Sequence, residues 1–342
     1  MNNKINIYCP LIDLPNDEVS QIVRPGIMNS DKCELSQIPW KPHEYKKWKE
    51  SPESTSYPDP DVILIHGSGN LDLFQECVDR FPKKPVIVLD YKDIPDHLHH
   101  IIKHNNVTYF KRSMVELHRG NPIKVITYDP HKVHFTAFCV REDILEASNR
   151  MMNNERDIDV SCFFDGDTDK DITQIHTHMF AFKDENCHQA RGHAPKAIKM
   201  LSDIKSHVGK TAKVCQNLGR QGVDLDKPGS MQYNYVELMS RSKIIVTACP
   251  PNYEGDYRLM EAMTSGAMVI HNKMLLPPPG LIDGIHWVTY DNPIELVEKI
   301  TFYNRYPQLA QQIADKGRAF VLENHRPHHR VEQWLQQIKL LK

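Results

Sequence analysis

The segment from Lys243 to Ile270 constrains this chain more than any other. Ile244, Ile245 and Val246 form an unbroken β-branched run, the pattern of a strand buried on both faces of a parallel sheet. Pro250 and Pro251 stop it. Asn252 to Asp256 is polar and contains Gly255, which suits a loop entering a helix whose first backbone N–H groups are unpaired and can receive an anion. Arg258 and Glu261 lie three apart and share one helix face, while Leu259 and Met263, four apart, share another. One face can meet a ligand while the other packs. Gly266 stands where the helix needs a left-handed stop, and Ala267 to Ile270 reads as the next buried strand. Strand, loop, helix and strand make a right-handed crossover, and ligands of parallel sheets gather at the carboxyl ends of the strands.

With 342 residues and 40% hydrophobic content, the chain is long enough for two α/β domains with separate cores. The formal net charge of −2 gives no global basic field, so no nucleic-acid partner is expected. Cys9, Cys33, Cys77, Cys139, Cys162, Cys187, Cys215 and Cys249 are scattered singly, as small buried hydrophobes of a reducing compartment would be. Met1 to Pro15 holds one short apolar run, Ile5 to Tyr8, which reads as neither signal peptide nor membrane anchor.

Two strand-helix series follow each other. In the first, Ile5–Tyr8, Val62–Ile65, Val86–Leu89, Thr108–Phe110 and Val125–Thr127 are short strands ended by polar or Pro/Gly breaks. Asn29 to Pro60 is a surface excursion with a helical turn near Glu44 to Lys49, expected near an acceptor. Arg141 to Arg156 has helical composition, and the polar cluster Asn153 to Asp157 marks a domain boundary. The second series predicts strands at Ile158–Phe164 and Ala212–Leu218 and helices at Pro195–His207, Asn234–Arg241 and Gln308–Leu322. Asn292 caps a helix opened by Pro293. Val331, Trp334, Leu335 and Ile338 form the apolar stripe of a last helix.

Asp256-Tyr257-Arg258-Leu259-Met260-Glu261-Ala262 and Ser265-Gly266-Ala267-Met268-Val269-Ile270 together resemble the donor-site region of exostosin-like glycosyltransferases and, more loosely, of two-domain GT-B enzymes. The motif-level resemblance spans about the last third of the chain. It implies an α/β chain of two Rossmann-like domains facing a cleft: residues 1–155 for the acceptor, residues 156–325 for the nucleotide sugar, and a terminal helix, 326–342, crossing back to the first domain. It also implies a UDP-sugar substrate, a glycan acceptor and an inverting transfer, with the sugar, hexose or a pentose such as xylose, left open. By the same resemblance Glu261 holds the ribose hydroxyls, while Tyr253, Glu254, Gly255, Asp256 and Arg258 approach the diphosphate. Exostosins are usually anchored in the secretory pathway; the N-terminus here departs from that and suggests a soluble cytoplasmic enzyme, microbial or viral.

Gly219 and Arg220, which follow the Ala212 strand, read either as further donor contacts or as an ordinary turn, and Arg191 and His193, which precede the Pro195 helix, either as contacts to the same phosphates or as surface residues. An inverting transfer needs a base for the acceptor hydroxyl and cationic help for the departing diphosphate. Asp13, His66 and Asp90 each stand at a strand's carboxyl end, and the residues leave the choice among them open. Lys111 and Arg112 read either as acceptor contacts or as an exposed basic pair. Asp165-Gly166-Asp167 could hold a cation, but acidic residues continue through Asp169 and Asp171, as in a solvated turn. His97, His99 and His100, His176 and His178, and His325, His328 and His329 cluster without a zinc-type spacing, so neither metal nor cofactor is expected. A sugar-nucleotide epimerase or hydrolase, or a catalytically silent glycan- or nucleotide-binding protein, would use the same donor pocket.

Overall fold

The computed structural model describes residues 4–10, 20–36, 59–66, 71–91, 101–118, 121–164, 188–209, 231–249 and 254–341. The chain forms two compact units: Met1–Ser113 with Thr127–Thr136 and Arg326–Lys342, and Met114–Ile126 with Ala137–His325.

The first unit is built on a parallel six-stranded sheet of β1 (Ile5–Tyr8), β2 (Cys33–Leu35), β3 (Val62–His66), β4 (Val86–Asp90), β5 (Val107–Lys111) and β8 (Val133–Phe135), in the order β2-β1-β3-β4-β5-β8. Ile63, Ile65, Val86, Val88, Val107 and Tyr109 pack with Phe74, Cys77 and Val78 of α2 (Leu71–Arg80). α1 (Ser20–Met28) packs against the terminal helix α9 (Pro327–Gln337). Val331, Trp334 and Leu335 of α9 are buried, and the Trp334 indole N–H donates to Thr136 Oγ1 at 3.1 Å. Ser30 Oγ and Lys32 Nζ both donate to the Glu332 carboxylate beside this contact.

The second unit carries a parallel five-stranded sheet, β10-β9-β11-β12-β13, from β9 (Ile158–Cys162), β10 (Ser206–Val208), β11 (Ser242–Thr247), β12 (Met268–Asn272) and β13 (Val288–Tyr290). An antiparallel hairpin, β6 (Val115–His118) with β7 (Asn121–Val125), also belongs to it. Its helices are α3 (Glu142–Arg150), α4 (His188–Lys199), α5 (Met231–Arg241), α6 (Tyr257–Thr264), α7 (Pro293–Arg305) and α8 (Pro307–Asn324). The strand alternation sends side chains to two cores. Ile245 and Val269 join α3, α5 and α6, whereas Ile244, Val246, Met268 and Ile270 join α4 and α7. The β-branched run at 244–246 is thus buried on both faces. Asn292 Oδ1 accepts from the N–H groups of Ile294 and Glu295 and caps α7, with Pro293 in its first turn.

Several boundaries differ from expectation. The units change over at Thr136/Ala137 rather than near residue 155, because the apolar stripe of α3 (Ile144, Leu145, Ala147) is buried among α5 and α6. The polar cluster read as a domain boundary is ion-paired structure of the second unit: Asp157 receives Arg241 at 2.8 Å and Lys205 at 2.6 Å, and Arg156 donates to the carbonyls of Ser242 and Ser265. Pro195 lies inside α4, which begins at His188, and 206–208 is an edge strand paired to β9 rather than the end of a helix. Of the expected Val125–Thr127 strand only Val125 is in a strand, β7. The expected Ala212–Leu218 strand lies outside the described residues. Among the described residues, no helix is long and apolar enough to cross a membrane.

A Cβ added at Gly26 would stand 2.6 Å from Pro327 O and 2.6 Å from Val331 Cγ2. Because one of these is backbone, Gly26→Ala is expected to cost about 1–3 kcal/mol of stability, read as a lower urea midpoint. An unchanged midpoint would contradict the close seat of α9 on α1.

Candidate functional site

β11 ends at Thr247, and the chain then turns into α6, whose N-cap is Asp256. Gly255 precedes the cap at φ +95°, and Gly266 follows the helix at φ +78°, the left-handed stop its position suggested. Asp256 is 2% exposed and its Oδ1 accepts from the Arg258 N–H at 3.2 Å. Oδ2 receives Arg191 Nη2 at 2.5 Å and Arg258 Nη1 at 3.4 Å. Arg191 reaches from α4, donates its Nε to Ala248 O at 2.9 Å and lies 5.6 Å from the Phe164 ring centre. Burial alone would raise the Asp256 carboxyl, but the Arg258 and Arg191 guanidiniums overcome it and hold the group below its ordinary range. Two guanidiniums on one carboxylate leave a net positive charge at the N-terminal end of α6, where the helix N–H groups add to it.

Glu261 lies on the same helix and is 2% exposed. Its Oε2 accepts from the Tyr235 hydroxyl of α5 at 2.9 Å. Burial pushes its carboxyl up to about 7, against the opposing pull of Arg141, the Tyr235 hydroxyl and Arg258. The arginine and glutamate three apart are therefore not a solvated surface pair; both are drawn into the fold.

The loop between β11 and α6 is tied to the end of β12. The Cys249 N–H donates to Asn272 Oδ1 at 2.7 Å, and the Gly255 N–H lies 3.3 Å from Cys249 Sγ. Glu254 accepts the N–H groups of Leu275 and Leu276 at 2.6 and 2.7 Å. The Glu254 carboxylate, expected near the diphosphate, is thus engaged by backbone amides. At the same end of the sheet, Thr247 and His271 are register partners on β11 and β12. His271 faces the Asn272 carbonyl through Nδ1, which must donate because a carbonyl only accepts. Burial lowers its imidazole to about 4, so the ring is neutral. Among the described residues, its Nε2 and Thr247 Oγ1 are both buried without a hydrogen-bond partner, which suits an end of the sheet built to face a polar group.

Of the residues singled out in the sequence, Arg191, Asp256 and Arg258 come together, and Glu261 follows on the same helix. His193 is two residues from Arg191 on α4, lowered to about 4 by burial and by Lys196. Asp13, Gly219, Arg220 and Tyr253, and the Asp165-Gly166-Asp167 turn, lie outside the described residues. His66 closes β3, with its side chain outside the description. Asp90 is corrected as a candidate base: it is 2% exposed, and its Oδ2 accepts both Tyr109 Oη at 2.5 Å and Lys111 Nζ at 2.7 Å. Lys111 is 0% exposed and Arg112 2%, with the Arg112 guanidinium on Tyr91 O, so neither is an exposed cation waiting for an acceptor. The register of β4 and β5 sets Asp90 opposite Lys111 and buries both. Sequence reading missed Tyr235, Asn272 and His271; the last two end the strand that had been recognised at Ala267 to Ile270.

Residues 216–336 match the family model described as Glycosyl transferase-like. Comparison with curated proteins gives no match. Among solved structures, a glycosyltransferase from Rickettsia africae ESF-5 is similar with a TM-score of 0.54 at 12% identity, covering 98% of this chain and 99% of that one. Anabaena Alr3699/HepE in complex with UDP gives 0.48 at 11% identity over 99% and 100% of the two chains. The sucrose-phosphate synthase tll1590 from Thermosynechococcus elongatus gives 0.46 at 12% over 99% of each. At these identities the likeness is one of fold, and the Rickettsia protein carries it. The two parallel-sheet, Rossmann-like units have the architecture of GT-B glycosyltransferases, and the glycosyltransferase-like segment covers the later part of the second unit and runs into the terminal helix.

Proposed function

We propose that this chain is a cytoplasmic glycosyltransferase that moves a sugar from a UDP-sugar to a hydroxyl of a glycan, with inversion and without a metal ion. The reading rests on α6: two guanidiniums meet at its N-cap, a buried carboxylate poised near neutrality follows, and α6 itself lies in the segment that matches the glycosyltransferase model. The exostosin resemblance of Asp256 to Ile270 supplies the expectation of uridine and of inversion.

In this mechanism the Glu261 carboxylate accepts the ribose hydroxyls. The diphosphate lies against the N-terminus of α6, where Arg191 and Arg258 take up the charge that grows as the bond to the anomeric carbon breaks. Those cations do the work that a divalent ion does elsewhere. The acceptor hydroxyl loses its proton to a general base. With Asp90 tied to Lys111, that duty falls to Asp13 or His66.

Thermal denaturation with a panel of nucleotides, with and without chelator, tests donor and metal together. UDP at about a hundred times its dissociation constant should stabilise by about 2.7 kcal/mol, chelator present or not. Glu261→Ala should fold and lose the shift; a shift that persists would place the nucleotide elsewhere. Release of UDP from a UDP-sugar that depends on added glycan then distinguishes transfer from hydrolysis or silent binding.

The free protein carries a pH signature. Glu261 holds its proton to about 7 when folded, against an ordinary 4.5, so its contribution to stability is full below the unfolded value and is lost as pH rises through the folded one. Glu261→Gln cannot ionise. Relative to wild type it should gain up to about 3 kcal/mol between pH 5 and pH 8, measured by urea unfolding at both. Parallel stability curves would contradict a buried, near-neutral carboxyl.

A further inference from the structure

Glu254 is 7% exposed, and among the described residues no cation pairs with its side chain; its hydrogen bonds there are the two backbone N–H groups of Leu275 and Leu276. Holding a buried carboxylate by two short charge-assisted bonds to backbone is a demanding arrangement, because the desolvation of the charge must be offset by those bonds alone. Burial raises its carboxyl, and the two amides pull the other way without fully restoring it. The arrangement has a geometric consequence. Leu275 and Leu276 belong to the turn after β12, while Glu254 is the second residue before the N-cap of α6. The same turn-to-loop contact is repeated upstream, where Asn272 Oδ1 accepts the Cys249 N–H and Cys249 Sγ faces the Gly255 N–H. The two ends of the β11–α6 loop are thus both fastened to one neighbouring strand end, on either side of residues 250–253.

We propose that Glu254 is a positioning residue: its carboxylate, gripped by the Leu275 and Leu276 amides, latches the β11–α6 loop to the turn after β12 and fixes where the Gly255–Asp256 backbone and the α6 N-terminus meet a diphosphate. This rests on the nucleotide-diphosphate reading of the second unit and deepens it. It assigns Glu254 no ligand contact. The ribose end, at Glu261 and Tyr235, is held by α5 and α6 and does not depend on the latch.

Uridine and UDP separate the two ends of the site. Glu254→Gln keeps the shape, but its amide NH2 faces an N–H that the carboxylate oxygen accepted, so one latch bond is lost; Glu254→Asp keeps the charge and is too short to span. In both, UDP affinity by calorimetry is expected to fall by about tenfold, while uridine affinity by ligand-detected NMR stays within about twofold. Amide exchange at Leu275 and Leu276 should quicken at the same time. A general loosening of the fold would weaken both probes alike. Equal losses for uridine and UDP, or UDP affinity unchanged in a folded Glu254→Gln, overturn the latch while leaving the nucleotide reading in place. Failure of wild type to take up either probe overturns the nucleotide reading and this proposal with it.

Discussion

The second unit's site depends on one buried carboxylate. Asp256 caps α6, receives Arg191 from α4 and Arg258 from its own helix, and through Arg191 is linked to the Ala248 carbonyl at the end of β11. Three elements therefore meet at one carboxylate. Removing one partner of such a buried pair typically costs about 3–5 kcal/mol, because an uncompensated charge is left behind. The same contact orients two guanidiniums at a helix N-terminus, so the interaction that holds the local fold also creates its anion-facing surface.

Asp256 and Glu261, five residues apart on α6, are equally buried and are driven in opposite directions. Two guanidiniums within bonding distance keep Asp256 ionised. Glu261 has a phenol hydroxyl as its hydrogen-bond donor and feels Arg141 and Arg258 less than it feels its own burial, so it rises toward neutrality. One helix then presents a fixed anion with bound cations at its start and a titratable acceptor further along, which is the polarity a ribose followed by a diphosphate requires.

What could be read from sequence was local. The unbroken run 244–246, the helix and the strand to Ile270 followed from β-branching, prolines and Gly266, and the shared face of Arg258 and Glu261 from their spacing, while their expected roles came from the family resemblance. The Asn292-Pro293 start of α7 was legible for the same reason. What could not be read depended on partners far along the chain. The stripe of α3 announces burial but not which core receives it, and that core turned out to be the second. Asp90 and Lys111 each looked like a group facing solvent at a strand end, and only the β4–β5 register sets them against each other. Glu254 looked like a ligand contact because its neighbours do; its amide partners lie 21 and 22 residues away. Tyr235 sits on a helix that was recognised, yet nothing in its spacing points to Glu261, 26 residues on.

The most direct test of the account is a crystal structure of the chain with UDP bound. The ribose hydroxyls should lie within hydrogen-bonding distance of the Glu261 carboxylate, with the diphosphate oxygens against Arg191, Arg258 and the first N–H groups of α6. UDP bound away from α6, or with its phosphates turned from both guanidiniums, would contradict the central claim.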